Sequence, residues 1–282
     1  MRPDIMMKKA FLFLLGLLLL PTAFASNKER VITLGGSVTE IVYELGLGER
    51  LIANDISSLY PEEATRLPRV GYYRSVPVEG VVAMKPDLVL ASENAGPAQA
   101  LDSIGKLGVE VVRVSDHSSL ESLYERVAQI ARVLSVDDKG VALVARIKED
   151  VARAQAQPGK NLKTALIINR TGNIQAAGSQ TAASALMSLA GLTNVLEQVQ
   201  KGYKPVSAES LVNFGPELII VTEGSVQASG GLDKFIKHPA IATTPAAINN
   251  RIVVMDDLLA LGLGPRVAQA IEQLKLASNA AP

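Results

Sequence analysis

The chain has 282 residues, of which 48% are hydrophobic and 20% charged, and its formal net charge is zero. This balance excludes the basic field of a nucleic-acid binder and the polar composition of a disordered chain. With no cysteine and only two histidines, His117 and His238, thiol catalysis, Cys-ligated zinc, iron–sulfur clusters and disulfides are excluded, and a site built from several imidazoles is not expected.

Residues 1–25 have the form of a secretory signal peptide. Lys8 and Lys9 precede an apolar run over 10–20, too short for a comfortable membrane span. Pro21 ends the run, and Ala23-Phe24-Ala25 fits a small-x-small cleavage site that leaves Ser26 first. A bacterial lipoprotein needs a cysteine just after its signal, and the sequence has none. The expectation is a freely diffusing, exported protein, monomeric and not membrane-anchored, in a periplasm.

Short apolar runs then alternate with helical patterns. Strands are expected over 30–34, 51–53, 87–91 and 109–114, with a helix over 98–107. Ser37-Val38-Thr39-Glu40 has the spacing of a capping box at the head of a helix that carries Ile41, Val42 and Leu45. His117, in Ser-Asp-His-Ser-Ser, reads as a polar turn before a helix. From 137 to 157 the apolar positions Val144, Ile147, Val151 and Ala154 keep helical spacing until Pro158-Gly159. That predicts one helix of about 20 residues, about 30 Å long. Afterwards the strand–helix pattern restarts, with strands over 164–168, 217–222 and 251–255 and a capped helix near 181–189. His238 precedes Pro239 in a helix-ending Lys-His-Pro.

The two halves share a register. Glu79 lies seven positions before Pro86, and Glu209 seven before Pro216. Asp87 and Glu217 follow those prolines, and each leads an apolar run. Each glutamate opens a short helix that feeds a buried strand. The expected fold is α/β: two Rossmann-like lobes with central parallel sheets joined by one long helix. The lobes are assigned to 26–135 and 159–282, and the helix to 136–158. Such a molecule has one natural cleft, between the lobes.

Several segments carry a resemblance to a known family. They are Val-Gly-Tyr-Tyr-Arg (70–74), Val-Glu-Gly with Lys-Pro-Asp-Leu-Val-Leu, the long helix, and Gly-Tyr-Lys-Pro-Val-Ser-Ala-Glu (202–209). The closing segment, Met255-Asp256-Asp257-Leu258-Leu259 with Gly262-x-Gly264-Pro265-Arg266, agrees with them. Together they resemble the helical-backbone substrate-binding proteins of ABC importers and, within that group, the periplasmic haem-binding proteins. The resemblance covers residues 28–275.

It implies that the chain captures ferric haem in the cleft, with Tyr72 as axial ligand, and delivers it to an inner-membrane ABC permease for iron uptake. A phenolate is a hard anionic oxygen and suits a ferric centre. The residue after Tyr72 is commonly aliphatic or methionine in relatives; here it is Tyr73. In an extended segment neighbouring side chains point to opposite sides, so only one of the pair is expected to reach an iron. Arg74 could stabilise the tyrosinate or hold a propionate. The second lobe offers Arg170, Tyr203 and Lys204 for the opposite wall. The resemblance gives Glu79 and Glu209 the role of docking on permease arginines, one from each lobe.

No catalytic constellation competes with this reading. There is no Walker A loop, and Leu34-Gly35-Gly36-Ser37 is not a dinucleotide fingerprint. The chain is not expected to be an enzyme. The same fold carrying a ferric siderophore or cobalamin is the alternative ligand class. A periplasmic enzyme or adaptor using the cleft is the alternative of a different kind.

Overall fold

A computed structural model describes residues 28–169 and 173–280. The signal-peptide reading and Arg170 therefore lie outside the described residues. The first lobe runs β1 (Val31–Leu34), α1 (Gly36–Glu44), β2 (Leu51–Asn54), α2 (Glu62–Thr65), α3 (Val78–Ala83), β3 (Leu88–Ser92), α4 (Ala98–Lys106), β4 (Glu110–Val114) and α5 (Leu120–Val133). Its four strands are all parallel, in the order β2-β1-β3-β4. Helix α6 (Asp137–Ala156) follows.

The second lobe holds β5 (Lys163–Asn169), β6 (Ile174–Ala177), α7 (Ala182–Leu189), β7 (Thr193–Asn194), β8 (Tyr203–Pro205), α8 (Ala208–Phe214) and β9 (Leu218–Thr222). Four short helices come next: α9 (Glu223–Ala228), α10 (Leu232–Ile236), α11 (Pro239–Ala242) and α12 (Pro245–Ile248). The described chain closes with β10 (Ile252–Met255), α13 (Asp257–Leu261) and α14 (Val267–Asn279). The sheet order is β10-β9-β5-β6-β8, with β7 also on β5. Strands β10, β9 and β5 are parallel, while β6 pairs antiparallel with both β5 and β8.

Strand alternation decides which residues face which core. In β3, Leu88 and Leu90 join one buried cluster while Val89 and Ala91 join another. In β9, Leu218 and Ile220 belong to the first of these clusters, and Ile219 and Val221 to a third. The first cluster is therefore common to both lobes. It takes in Leu143, Ile147 and Val151 from α6 and Ala270, Ile271 and Leu274 from α14.

Helices α5 and α6 pack at close range. Gly140 is buried in the first turns of α6, and a Cβ there would overlap the Ala131 methyl. Gly140→Val is expected to lower stability by about 1–3 kcal/mol through overpacking, measured by urea unfolding; an unchanged midpoint would show that the helices separate freely.

The head of α1 differs from the capping-box expectation. The helix begins at Gly36, its N-cap Gly35 makes no side-chain cap bond, and Ser37 and Glu40 are buried. Glu40 instead accepts from the backbone N and Nε of Arg266, at 3.2 and 3.0 Å. The segment 256–266 thus crosses back onto the first lobe. It is held there a second time by the buried Arg126, whose Nη2 donates to the Leu263 carbonyl at 2.9 Å.

Candidate functional site

In the first lobe the chain runs β1 to β2 on one side and then reaches β3 on the other side of β1. Ligands favour the carboxyl ends of strands at such a reversal. The loop carrying Tyr72 and Tyr73 follows β2 and is pinned there by backbone bonds. Ile56 N donates to Gly71 O at 2.8 Å, Gly96 N to Tyr73 O at 2.9 Å, and Val76 N to Gly96 O at 2.8 Å. Gly71 takes φ +99°, a conformation that L side chains rarely adopt.

Asp55 organises this loop from below. It is fully buried, and its Oδ1 accepts from Gly35 N, Ser57 Oγ and Ser58 Oγ at 2.9, 3.0 and 3.2 Å. Its Oδ2 accepts from Ser57 N and Tyr73 N at 3.0 and 3.2 Å. Asp55→Ala strands several of these donors, and an unsatisfied buried donor costs about 1–3 kcal/mol. A stability loss of about 2–5 kcal/mol is expected in urea titrations, together with faster amide exchange at Tyr73. Full protection of that amide in the variant would show that the loop does not depend on Asp55.

Residues 72–75 form a tight turn, with Ser75 N donating to Tyr72 O at 2.8 Å, rather than the extended segment expected. The two tyrosines consequently do not diverge to opposite sides. Their ring centroids are 5.1 Å apart, edge to face at 78°. They differ in surroundings instead. Tyr72 is 38% exposed. Tyr73 packs on the first lobe's own core, and burial pushes its phenol up to about 12, with Arg74 opposing the shift.

The Arg74 guanidinium lies 5.0 Å from the Tyr73 ring centroid. Burial works against its charge, but the Tyr73 and Tyr72 phenols outweigh that and its pKa is raised.

From the second lobe, Tyr203 sits on β8 opposite Ala177. Its hydroxyl is buried in the second lobe. Burial pushes this phenol up to about 12, against the Ala183 backbone and the Thr181 side chain. The Tyr73 and Arg74 side chains act on it across the lobes, in opposite senses. Lys204, the next residue of the strand, is exposed on the alternate side.

Neither histidine joins this group. His117 is largely exposed, with Nδ1 3.2 Å from Glu93, and His238 caps α11 by accepting from Ala240 N. Glu79 and Glu209 are exposed in the first turns of α3 and α8, which lead into β3 and β9 respectively.

Two features escaped the sequence reading. Ile56, Leu59 and Tyr60 are exposed beside the Tyr72 loop and extend an apolar face from it. Their signal was a cluster of large apolar side chains in a turn-rich stretch without periodicity. The second feature is the Glu40–Arg266 pair described above. A separate groove of about 700 Å³ opens between Ser119 and Leu120 of the first lobe and Thr181, Ser184 and Ala185 of the second. Tyr72, Tyr73, Arg74 and Tyr203 do not line it.

The chain as a whole is similar to known proteins. The sequence pattern of a family described as periplasmic binding protein matches residues 31–259. The periplasmic heme-binding protein RhuT from Roseiflexus sp. RS-1, solved in apo form, is 32% identical with a TM-score of 0.83, covering 89% of this chain and 97% of that one. The periplasmic heme-binding protein BhuT, solved in complex with two hemes, is 33% identical with a TM-score of 0.79, covering 88% and 98%. The vitamin B12-binding protein of Photorhabdus laumondii is 26% identical over 246 residues, covering 87% of this chain and 86% of its own.

Proposed function

The chain belongs to the periplasmic binding protein family, and from that premise we propose that it captures haem between its lobes and delivers it to an ABC permease. The observation that carries this reading is the environment of the paired tyrosines. Tyr73 is held neutral by burial, which leaves Tyr72 as the accessible phenol of the pair. A tyrosinate from Tyr72 suits ferric iron as a hard oxygen donor. The apolar face of Ile56, Leu59 and Tyr60 suits the porphyrin plane, and Arg74 suits a propionate through charge-assisted hydrogen bonds. The similarity to RhuT and BhuT supports the same ligand class.

Tyr203 is the residue proposed to close the site from the second lobe, where Tyr73 and Arg74 act on its phenol. Lys204 and Arg170 are the second-lobe cations proposed for the remaining propionate. Glu79 and Glu209 present matched charges for a two-fold permease, and the protein works as a free periplasmic carrier rather than an enzyme.

Titration with haemin tests the ligand. The expected result is a shifted Soret band with a tyrosinate charge-transfer band. The vitamin B12-binding relative favours cobalamin as a second reading; cobalamin binding without a haemin response would establish that reading instead.

A further inference from the structure

Arg266 gathers groups from both lobes around one guanidinium. Its Nε and backbone N donate to Glu40 of α1, its Nη2 donates to Asp256 Oδ1 at 3.2 Å, and its Cζ lies 3.7 Å from the Tyr60 ring centroid. Tyr60 ends the exposed apolar stretch that begins at Ile56, and Ile56 N holds Gly71, the residue before Tyr72. Arg266 therefore ties the closing segment, helix α1 and the wall of the cleft together.

We propose that Glu40, Arg266 and Tyr60 form a proton-sensitive clasp between the lobes that sets how long a ligand stays in the cleft. The statement about ligand rests on the cleft function proposed above; the clasp itself stands on the inter-lobe contacts.

Glu40 is buried at 1% exposure under the closing segment, and a Cβ on Gly264 would come within 3.1 Å of its Oε2. Three charged groups bear on it. Arg266 faces it from the closing segment, Glu44 lies one turn further along its own helix, and Asp256 acts through Arg266. Glu44 is itself paired with Arg146 of α6. Burial is the largest influence and raises the Glu40 carboxyl to about 7; Arg266 lowers it and Glu44 raises it.

This order of influences decides the sign. The closed lobes hold a proton on Glu40 more tightly than water-exposed lobes would. The resulting stabilisation is full below the ordinary value of 4.5 and is lost as pH rises through about 7. Acid therefore tightens the clasp, although it removes one formal charge from an ion pair. If parting the lobes rehydrates Glu40, separation is favoured about tenfold more at pH 8 than at pH 6.

The test uses the full chain in two arms. Hydrogen exchange without ligand, corrected for intrinsic rates, follows the amides of 36–44 and 256–266. Protection about ten times greater at pH 6 than at pH 8 is expected in the unaltered protein, and Glu40→Gln should hold the tighter level at both values. Protection that does not change with pH, or a Glu40→Gln variant with the original pH profile, overturns the clasp. In the second arm haem escapes to apomyoglobin. Glu40→Gln should slow escape at pH 8 to the rate seen at pH 6; an escape rate that this substitution leaves unchanged would show that the clasp does not set how long a ligand stays. Absence of haem binding would count against the ligand assignment alone, because the exchange arm still decides the clasp.

Discussion

Tyr72→Ala should abolish the tyrosinate charge-transfer band and weaken haem binding by about 30- to 1000-fold. That range corresponds to about 2–4 kcal/mol, the scale on which a single anchoring side chain dominates a binding site. Tyr73→Phe should leave the band and the affinity within about threefold, a difference below about 0.7 kcal/mol. The contrast rests on surroundings rather than chain position. Tyr73 packs on the lobe core and its phenol is held neutral, so removing the hydroxyl leaves the ring packed where it is. Tyr72 is the more open of the two. Absorption spectra of haemin-loaded variants decide between them. Loss of the band in Tyr73→Phe, with retention in Tyr72→Ala, would move the ligand by one position.

Charge reversal at both Glu79 and Glu209 should sharply reduce haem uptake by cells while leaving haemin titrations of the purified protein unchanged. Glu79 and Glu209 occupy equivalent first turns, and both are exposed. A partner with two related halves would meet one carboxylate from each lobe. Complementary charges of this kind govern encounter and orientation more than tightness, so Glu79→Lys or Glu209→Lys alone should slow uptake and the pair should reduce it at least about tenfold. Stimulation of permease ATP hydrolysis by the haem-loaded double variant, at the unaltered level, would show that these glutamates do not dock.

The repeated Glu-to-Pro register announced two equivalent lobes because local spacing alone creates it: a first-turn acid, a short helix, then a buried strand. The long helix was legible for the same reason, with Leu143 rather than Val144 supplying its first fully buried rung. Strands β6 and β8 were not legible. Strand β8 has only three residues and ends in Pro205, and β6 pairs against it, so neither stands out as a run of large apolar residues. The Tyr72 loop was found from its motif, but its turn was not, since Gly71 and the bonds to residues 54–56 and 96 shape it. Glu40 was misassigned because a capping box is judged over four residues, whereas its partner lies 226 positions away.

The buried cluster shared by both lobes also bears on how the molecule comes apart. Its walls include residues from β1 near the start of the described chain and from α14 near its end. Helix α14 packs on α6 and α7, so the cluster is complete only with the end of the described chain in place. The two lobes are therefore expected to unfold together, with one midpoint in urea titrations followed in either lobe.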